Sequence, residues 1–95
     1  MEKKIYAVVY TYDSQKSEDL ARERPGHRAF LRSLFEKGEL LASGPLGDGQ
    51  ALIIVKATTP AEALTLLDPD PLHAQEIIKD REVKEWNPNI GPFAS

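Results

Sequence analysis

The chain has 95 residues, enough for a single hydrophobic core, so we expect one domain over residues 1–95. Its 12 lysines and arginines and 15 acidic residues give a net charge of -3 without blocks of either sign. This charge pattern argues against binding to nucleic acids or anionic membranes. The chain contains no cysteine, which excludes disulfides and thiolate catalysis, and no apolar stretch approaches the roughly 20 residues of a membrane span, so we expect a cytoplasmic protein.

The first predicted element is a strand over residues 5–12. Its sequence, "IYAVVYTY", is rich in β-branched and aromatic residues and is followed by the polar stretch "DSQKSED". The apolar run is only about seven residues long and carries tyrosines, so it is not typical of a signal peptide.

A helical segment comes next, and we predict an interruption in it at Pro25. Ser17 can cap a short turn that extends through Ala21, but a proline disfavours helical geometry at the preceding residue, Arg24. The main helix should therefore begin near Pro25, a residue that suits the first helical position, and end at Gly38.

The predicted main helix is amphipathic. Its apolar residues recur at helical spacing, and its charged residues should point away from the core; the two sets are Phe30, Leu31, Leu34 and Phe35, and Arg28, Arg32, Glu36 and Lys37. His27 precedes Phe30 and Leu31 by three and four residues, so an ionisable ring lies on the buried face.

Two strands should follow, over residues 39–45 and 50–57, joined by a hairpin turn around Asp48-Gly49. The segment "TPAEALTLL" predicts a second helix over residues 60–67, capped by Thr59 with Glu62 three residues later. A short third helix should start at Asp70 and extend through Ile78. "REVKEW" should form the last strand, before an irregular tail over residues 88–95.

This order, βαββαβ with an extra short helix, predicts a ferredoxin-like α+β fold, in which helices cover one face of a four-stranded antiparallel sheet. The strand sequence "ALIIV" does not alternate, and the first strand is apolar toward both sides. Because two helices cover only one sheet face, the other face would be a large exposed apolar patch. We therefore predict a homodimer in which the two sheets pack face to face.

The segments "RPGHRAFL", "LLASGPL", "DP" after the second helix and "VKEW" together resemble the YciI-like family of small dimeric α/β-barrel proteins, over about residues 4–87. That family is similar in fold to muconolactone isomerases and small cofactor-free monooxygenases, and one branch includes a dehydrochlorinase acting on chlorinated hydroxyhydroquinones. The resemblance implies an active site built on a histidine and an aspartate, here His27 and Asp70, with Arg24 and Ser43 at other recurring positions. Where the family usually places an aromatic residue after the Asp-Pro, this chain has Leu72.

From the residues alone, each site assignment has a structural alternative. His27 could act as a general acid or base near neutral pH, or be a histidine at the core edge that only makes a hydrogen bond. Asp70 could orient His27 or simply cap a helix; Asp68 is equally placed, and only the resemblance favours Asp70. Arg24 could bind a carboxylate or phenolate or be a solvated charge, and the Ser43 hydroxyl could line a pocket.

Two functional hypotheses follow. The first is a cofactor-independent enzyme, an isomerase or lyase of the muconolactone-isomerase or dehydrochlorinase type, in which His27 and Asp70 move a proton on a small cyclic or aromatic substrate. The second is a non-catalytic dimeric module that binds a small ligand. No histidine pair has metal-ligand spacing and "GPLGDG" lacks the lysine of a phosphate-binding loop, so we expect neither a metal nor a cofactor.

Overall fold

The computed structural model describes residues 2–94, so the outermost residues of the predicted domain and tail, Met1 and Ser95, lie outside the described part. The strands are β1 (Lys4–Tyr12), β2 (Leu40–Pro45), β3 (Gln50–Ala57) and β4 (Ile78–Glu85), and the helices are α1 (Ser17–Glu36), α2 (Pro60–Leu67) and α3 (Pro71–Ala74). The strands form one antiparallel sheet in the order β2-β3-β1-β4. Helices cover one of its faces, so the predicted ferredoxin-like α+β fold is confirmed.

Helix α1 is continuous through Pro25, so the predicted interruption there is wrong. A proline inside a helix removes one hydrogen bond, here to the carbonyl of Ala21, and normally bends or breaks the helix. Ala21 and Pro25 are both exposed, so water can hydrate that carbonyl. The apolar contacts of Leu31 and Leu34 with the sheet then hold the helix in place.

The buried apolar face of α1 is also narrower than predicted. Leu31 and Leu34 are buried and Phe30 is partly buried, but 59% of Phe35 is exposed to solvent, so its assignment to the core is wrong. An α-helix turns by about 100° per residue, which places Phe35 roughly 40° beyond Leu31 at the edge of the apolar stripe. Phe35 therefore lies beside the core and not within it.

The β2–β3 hairpin agrees with its prediction to within one residue. Gly47 and Gly49 in its turn have φ angles of 58° and 87°, a region that favours glycine, and the Leu46 amide bonds to the Gln50 carbonyl at 2.9 Å. The predicted cap of α2 is also present, because the Thr59 hydroxyl accepts the Glu62 amide at 3.0 Å.

Helix α3 is one turn long and does not reach Ile78 as predicted. Glu76 ends it with a φ of 58°, and the amides of Glu76 and Ile77 bond back to the carbonyls of His73 and Leu72 at 3.0 and 2.9 Å. This is a Schellman motif with glutamate at the position that usually holds glycine. The chain therefore turns early, and β4 begins at Ile78 rather than at Arg81.

The core lies between the helices and one sheet face. Tyr6, Val8 and Tyr10 of β1 are buried there. The opposite face of the sheet, which we call the open face, is also apolar, and its central residues are Ile5, Ala7, Val9, Leu52 and Ile54. Within residues 2–94, no helix has the length and apolar character needed to cross a membrane.

Candidate active site

A cleft of about 630 Å³ lies between α1 and the β2–β3 hairpin. Its wall includes the apolar residues Leu31, Leu40 and Ile53. Three of the four site residues predicted from the sequence line this cleft, namely Arg24 and His27 from α1 and Ser43 from β2. The fourth, Asp70, is fully buried behind His27 and contacts it directly.

His27 and Asp70 form a hydrogen-bonded pair. The Nδ1 atom of His27 lies 2.7 Å from Oδ2 of Asp70, across 43 residues of sequence. A carboxylate only accepts hydrogen bonds, so Nδ1 carries the proton in this contact and the neutral ring keeps its lone pair on Nε2. The pair therefore fixes both the orientation and the tautomer of the imidazole.

Three donors satisfy the Asp70 carboxylate. Besides His27, the Tyr10 hydroxyl donates to Oδ2 at 3.1 Å, and the Leu72 amide donates to Oδ1 at 2.9 Å as the N-terminal cap of α3. The sequence offered helix capping and orientation of His27 as alternative roles of Asp70. Different oxygen atoms perform them, since Oδ1 caps α3 and Oδ2 contacts His27. A buried carboxylate with all these bonds is held rigidly.

Close contact between α1 and α3 brings the pair together. At Gly26 an added Cβ would lie only 3.3 Å from Cγ of Pro71, which is tighter than ordinary van der Waals contact. The absence of a side chain at Gly26 therefore lets the start of α3 approach α1. Because Asp70 immediately precedes Pro71 and His27 immediately follows Gly26, this contact places both functional groups within bonding distance.

The first aspartate of "DPDP", Asp68, faces other groups. Asp68 is exposed and accepts from Arg81 at 3.0 Å, with Nε2 of His73 at 3.6 Å. Asp70 is the aspartate that contacts His27, whereas the sequence by itself did not distinguish the two.

The free nitrogen of His27 reaches the cleft. Within the described residues, no buried side-chain nitrogen or oxygen lacks a hydrogen-bond partner. Nε2 of His27 makes no hydrogen bond to another side chain or backbone group there, so it is accessible on the cleft wall. An oriented imidazole with an accessible lone pair can accept a proton from a bound molecule.

Two tyrosines of β1 belong to this site. Burial and the neighbouring Asp70 raise the pKa of Tyr10 well above its ordinary value, which keeps its hydroxyl protonated as a donor. Tyr12 lines the cleft, and burial and Asp70 also raise its pKa, against the opposing charge of Arg24. Their alternation along β1 was visible in the sequence, but nothing there pointed to Asp70.

Arg28 and Arg32 are exposed and lie outside the core as predicted, and they also line the cleft. Phe35 lines it as well. The spacing of Arg24, Arg28 and Arg32, four residues apart, was the available signal that they share one side of the helix.

Replacing Tyr10 with phenylalanine should lower the free energy of unfolding by about 1.5–3 kcal/mol at neutral pH, because it removes a hydrogen bond to a carboxylate and keeps the ring. This difference should shrink as the pH rises above about 10. The pKa of Tyr10 is raised in the folded protein, so the unfolded tyrosine ionises first and wild-type stability falls with pH, whereas phenylalanine does not titrate. Urea unfolding at neutral and alkaline pH measures both effects, and a difference that does not change with pH would contradict this account.

Several solved structures share this fold. The 5-chloro-2-hydroxyhydroquinone dehydrochlorinase TftG from Burkholderia phenoliruptrix AC1100, in complex with 2,5-dihydroxybenzoquinone, superposes with a TM-score of 0.74 at 18% identity, covering 87% of this chain and 93% of that protein. A NIPSNAP family protein from Agrobacterium tumefaciens has a TM-score of 0.56 at 12% identity, with 98% and 90% of the two chains covered. At such identities the likeness extends to the fold alone. No curated protein matches the sequence significantly.

The amino-acid sequence itself matches a known protein family. The family model of the YCII-related domain matches residues 5–87, which include all three helices and all four strands apart from Lys4, the first residue of β1. His27 and Asp70 both lie within the matched range. The chain belongs to the family of YCII-related domains.

Proposed function

We propose that this protein is a cofactor-independent enzyme in which His27, oriented by Asp70, transfers a proton on a small cyclic or aromatic substrate. The observation that carries the proposal is the 2.7 Å contact between His27 Nδ1 and Asp70 Oδ2 at the wall of an open cleft. Asp70 is wholly buried and makes no contact with the cleft, so its role is to position His27.

The proposed chemistry begins with removal of a proton from a carbon of the substrate by Nε2. The electron pair of that C–H bond forms a new π bond to the neighbouring carbon, which gives up another bond in return. That bond is either its own π bond, whose electron pair moves to a conjugated carbon or a carbonyl oxygen, or its bond to a leaving group. Asp70 stabilises the resulting imidazolium. In an isomerisation, the imidazolium returns the proton to a different carbon. In an elimination, the leaving group departs with its bonding electron pair, and the imidazolium proton passes to solvent.

Two further residues favour a substrate with oxygen substituents. Arg24 presents a planar cation beside His27, which suits a phenolate or enolate oxygen whose charge grows as the proton leaves. The Ser43 hydroxyl, on the opposite wall, can hydrogen-bond another substituent. The dehydrochlorinase with the same fold is in complex with 2,5-dihydroxybenzoquinone, a ring of this kind, which supports the choice of substrate class.

Replacing His27 with glutamine tests the proposal. Ring compounds of this class are screened for turnover and for exchange of carbon-bound hydrogen in deuterated water. The variant should lose about 10²–10⁴-fold in rate, the usual contribution of a general base, while binding of 2,5-dihydroxybenzoquinone, followed by calorimetry, is retained. The matched control is His73→Gln, because His73 does not line the cleft and pairs with Asp68.

The two functional hypotheses predict different results. Binding without turnover or exchange in the wild type would favour the non-catalytic ligand-binding module. Equal loss of activity in the His27 and His73 variants would contradict a specific role for His27.

We also propose that the protein is a homodimer in which the open faces of two copies pack together. Val9 pairs with Leu52 and Ala7 with Ile54 on this face, so apolar side chains from adjacent strands form a continuous patch. Burial of that patch against a second copy would remove it from water, which is the main driving force of stable association.

A further inference from the structure

We propose, building on the proton-transfer function above, that the substrate is a ring that carries a carboxylate, held by Arg28 and Arg32 while another ring position faces His27. Arg24, Arg28 and Arg32 are four residues apart on α1 and all line the cleft. Arg24 lies near Tyr12 and the His27–Asp70 pair, so it belongs to the end of the cleft where the proposed proton transfer takes place. Arg28 and Arg32 extend the row away from it.

The charge balance of the cleft favours an anion. Asp48, in the hairpin turn, is the one carboxylate among its described lining residues, so three guanidinium groups face a single negative charge. The ion pairs found in residues 2–94 involve other basic groups, including Arg22 and Arg81, and none includes these three arginines. Guanidinium groups without a protein partner are available to bind a carboxylate through two parallel hydrogen bonds.

The spacing of His27 and the arginines along α1 suits a ligand with a single ring. Each helical residue advances by about 1.5 Å, so Arg32 lies roughly 7.5 Å along the axis from His27. This rise leaves room for a six-membered ring between the imidazole and a guanidinium group that binds the ring's carboxylate. A polyanion such as a nucleic acid is disfavoured, because the rest of the chain is acidic, with a net charge of -3.

The apolar part of the cleft explains why a ring, rather than a free anion, is the expected ligand. Leu31 of α1 and Ile53 of β3 are apolar lining residues of the cleft. Phe35 is 59% exposed and lies on the same side of α1 as the arginine row. An exposed aromatic side chain beside an unpaired cationic row suits a planar molecule with one charged end.

The test compares two ring probes of nearly equal size, one anionic and one neutral, namely 2,5-dihydroxybenzoate and its amide, 2,5-dihydroxybenzamide. Affinities are measured by calorimetry or NMR titration for the wild type, for the double variant Arg28→Gln/Arg32→Gln and for Arg22→Gln. Arg22 is the matched control, since it is an exposed arginine on the same helix that pairs with Asp19 and lies outside the cleft. All these arginines are exposed, so the substitutions should leave the fold intact.

We expect the wild type to bind the acid about tenfold or more tightly than the amide, a preference that added salt weakens. The double variant should lose most of this preference, and Arg22→Gln should keep it. Equal affinities for the two probes, no detectable binding of the acid at millimolar concentration, or the same loss in Arg22→Gln would overturn the proposal.

The outcome for the anion site is separable from that for catalysis. Binding of the acid needs no proton transfer, so it should persist in His27→Gln. If charge-selective binding is present but no ring compound undergoes turnover or hydrogen exchange, the anion site stands and the catalytic role of His27 fails. If neutral rings are turned over and the acid is not preferred, the catalytic role of His27 stands and the anion site fails.

Discussion

Replacing Asp70 with alanine should lower the free energy of unfolding by about 3–5 kcal/mol, because each buried hydrogen-bond donor left without a partner costs about 1–3 kcal/mol. Asp70 is fully buried and accepts from His27, Tyr10 and the Leu72 amide, so its loss leaves three buried donors without an acceptor. It also removes the cap of α3. Since small domains are stable by about 5–15 kcal/mol, a large share of the stability should disappear. Urea or thermal unfolding followed by circular dichroism measures the change.

Asp70→Asn serves as the matched control, because it separates stability from chemistry. An asparagine can keep the helix cap through a carbonyl oxygen in the place of Oδ1, but the amide group in the place of Oδ2, which faces His27 and Tyr10, donates. His27 would then present an unprotonated Nδ1 to that amide and hold its proton on Nε2, the wrong tautomer for a base. We expect a loss of stability of about 1–2 kcal/mol and a loss of turnover similar to that of His27→Gln.

The histidine tautomer itself can be observed. ¹⁵N chemical shifts of the His27 ring should report a proton on Nδ1 in the wild type and on Nε2 in Asp70→Asn. An unchanged tautomer and an unchanged pH titration of His27 in Asp70→Asn would show that the carboxylate does not control the ring, and both the orienting role and the proposed mechanism would then be wrong.

Most of the fold follows from local patterns in the sequence. The β-branched run of β1, the Asp48-Gly49 turn and the Thr59 cap each predict an element through physics that acts within a few residues. The errors at Pro25 and Phe35 have another origin. Contacts between distant segments decide whether water reaches the Ala21 carbonyl. They also decide whether Phe35, at the edge of the apolar stripe of α1, is covered.

The candidate site divides in the same way. The position of His27 on the inward face of α1 was predictable from helical spacing, and the resemblance to YciI-like proteins selected Asp70 over Asp68. Tyr10 could not be assigned to the site from the sequence, because its partner lies 60 residues away and the bond depends on the close approach of α3 to the sheet. For Arg28 and Arg32 the sequence predicts only that they point away from the core, since a helical pattern separates apolar from charged faces but does not reveal a cleft along their boundary.

Replacing Val9 with lysine should disrupt the proposed dimer and leave the monomer folded. Val9 lies on the open face, is partly exposed in the single chain and has Glu82 of β4 as its cross-strand neighbour. A lysine there can extend into water beside an opposite charge, so little stability should be lost. In a face-to-face dimer the same lysine would be buried in an apolar interface.

The expected effect on association is large because the proposed interface is symmetric. A two-fold axis brings the same patch from both copies, so each dimer would bury the new charge twice. A penalty of about 3 kcal/mol or more corresponds to at least about a hundredfold weaker dimer. Analytical ultracentrifugation at micromolar concentration should give a dimer for the wild type and for the control Ala61→Lys, an exposed position on α2, and a monomer for Val9→Lys. A monomeric wild type, or a Val9→Lys protein that remains as dimeric as the control, would rule out the open face as the interface.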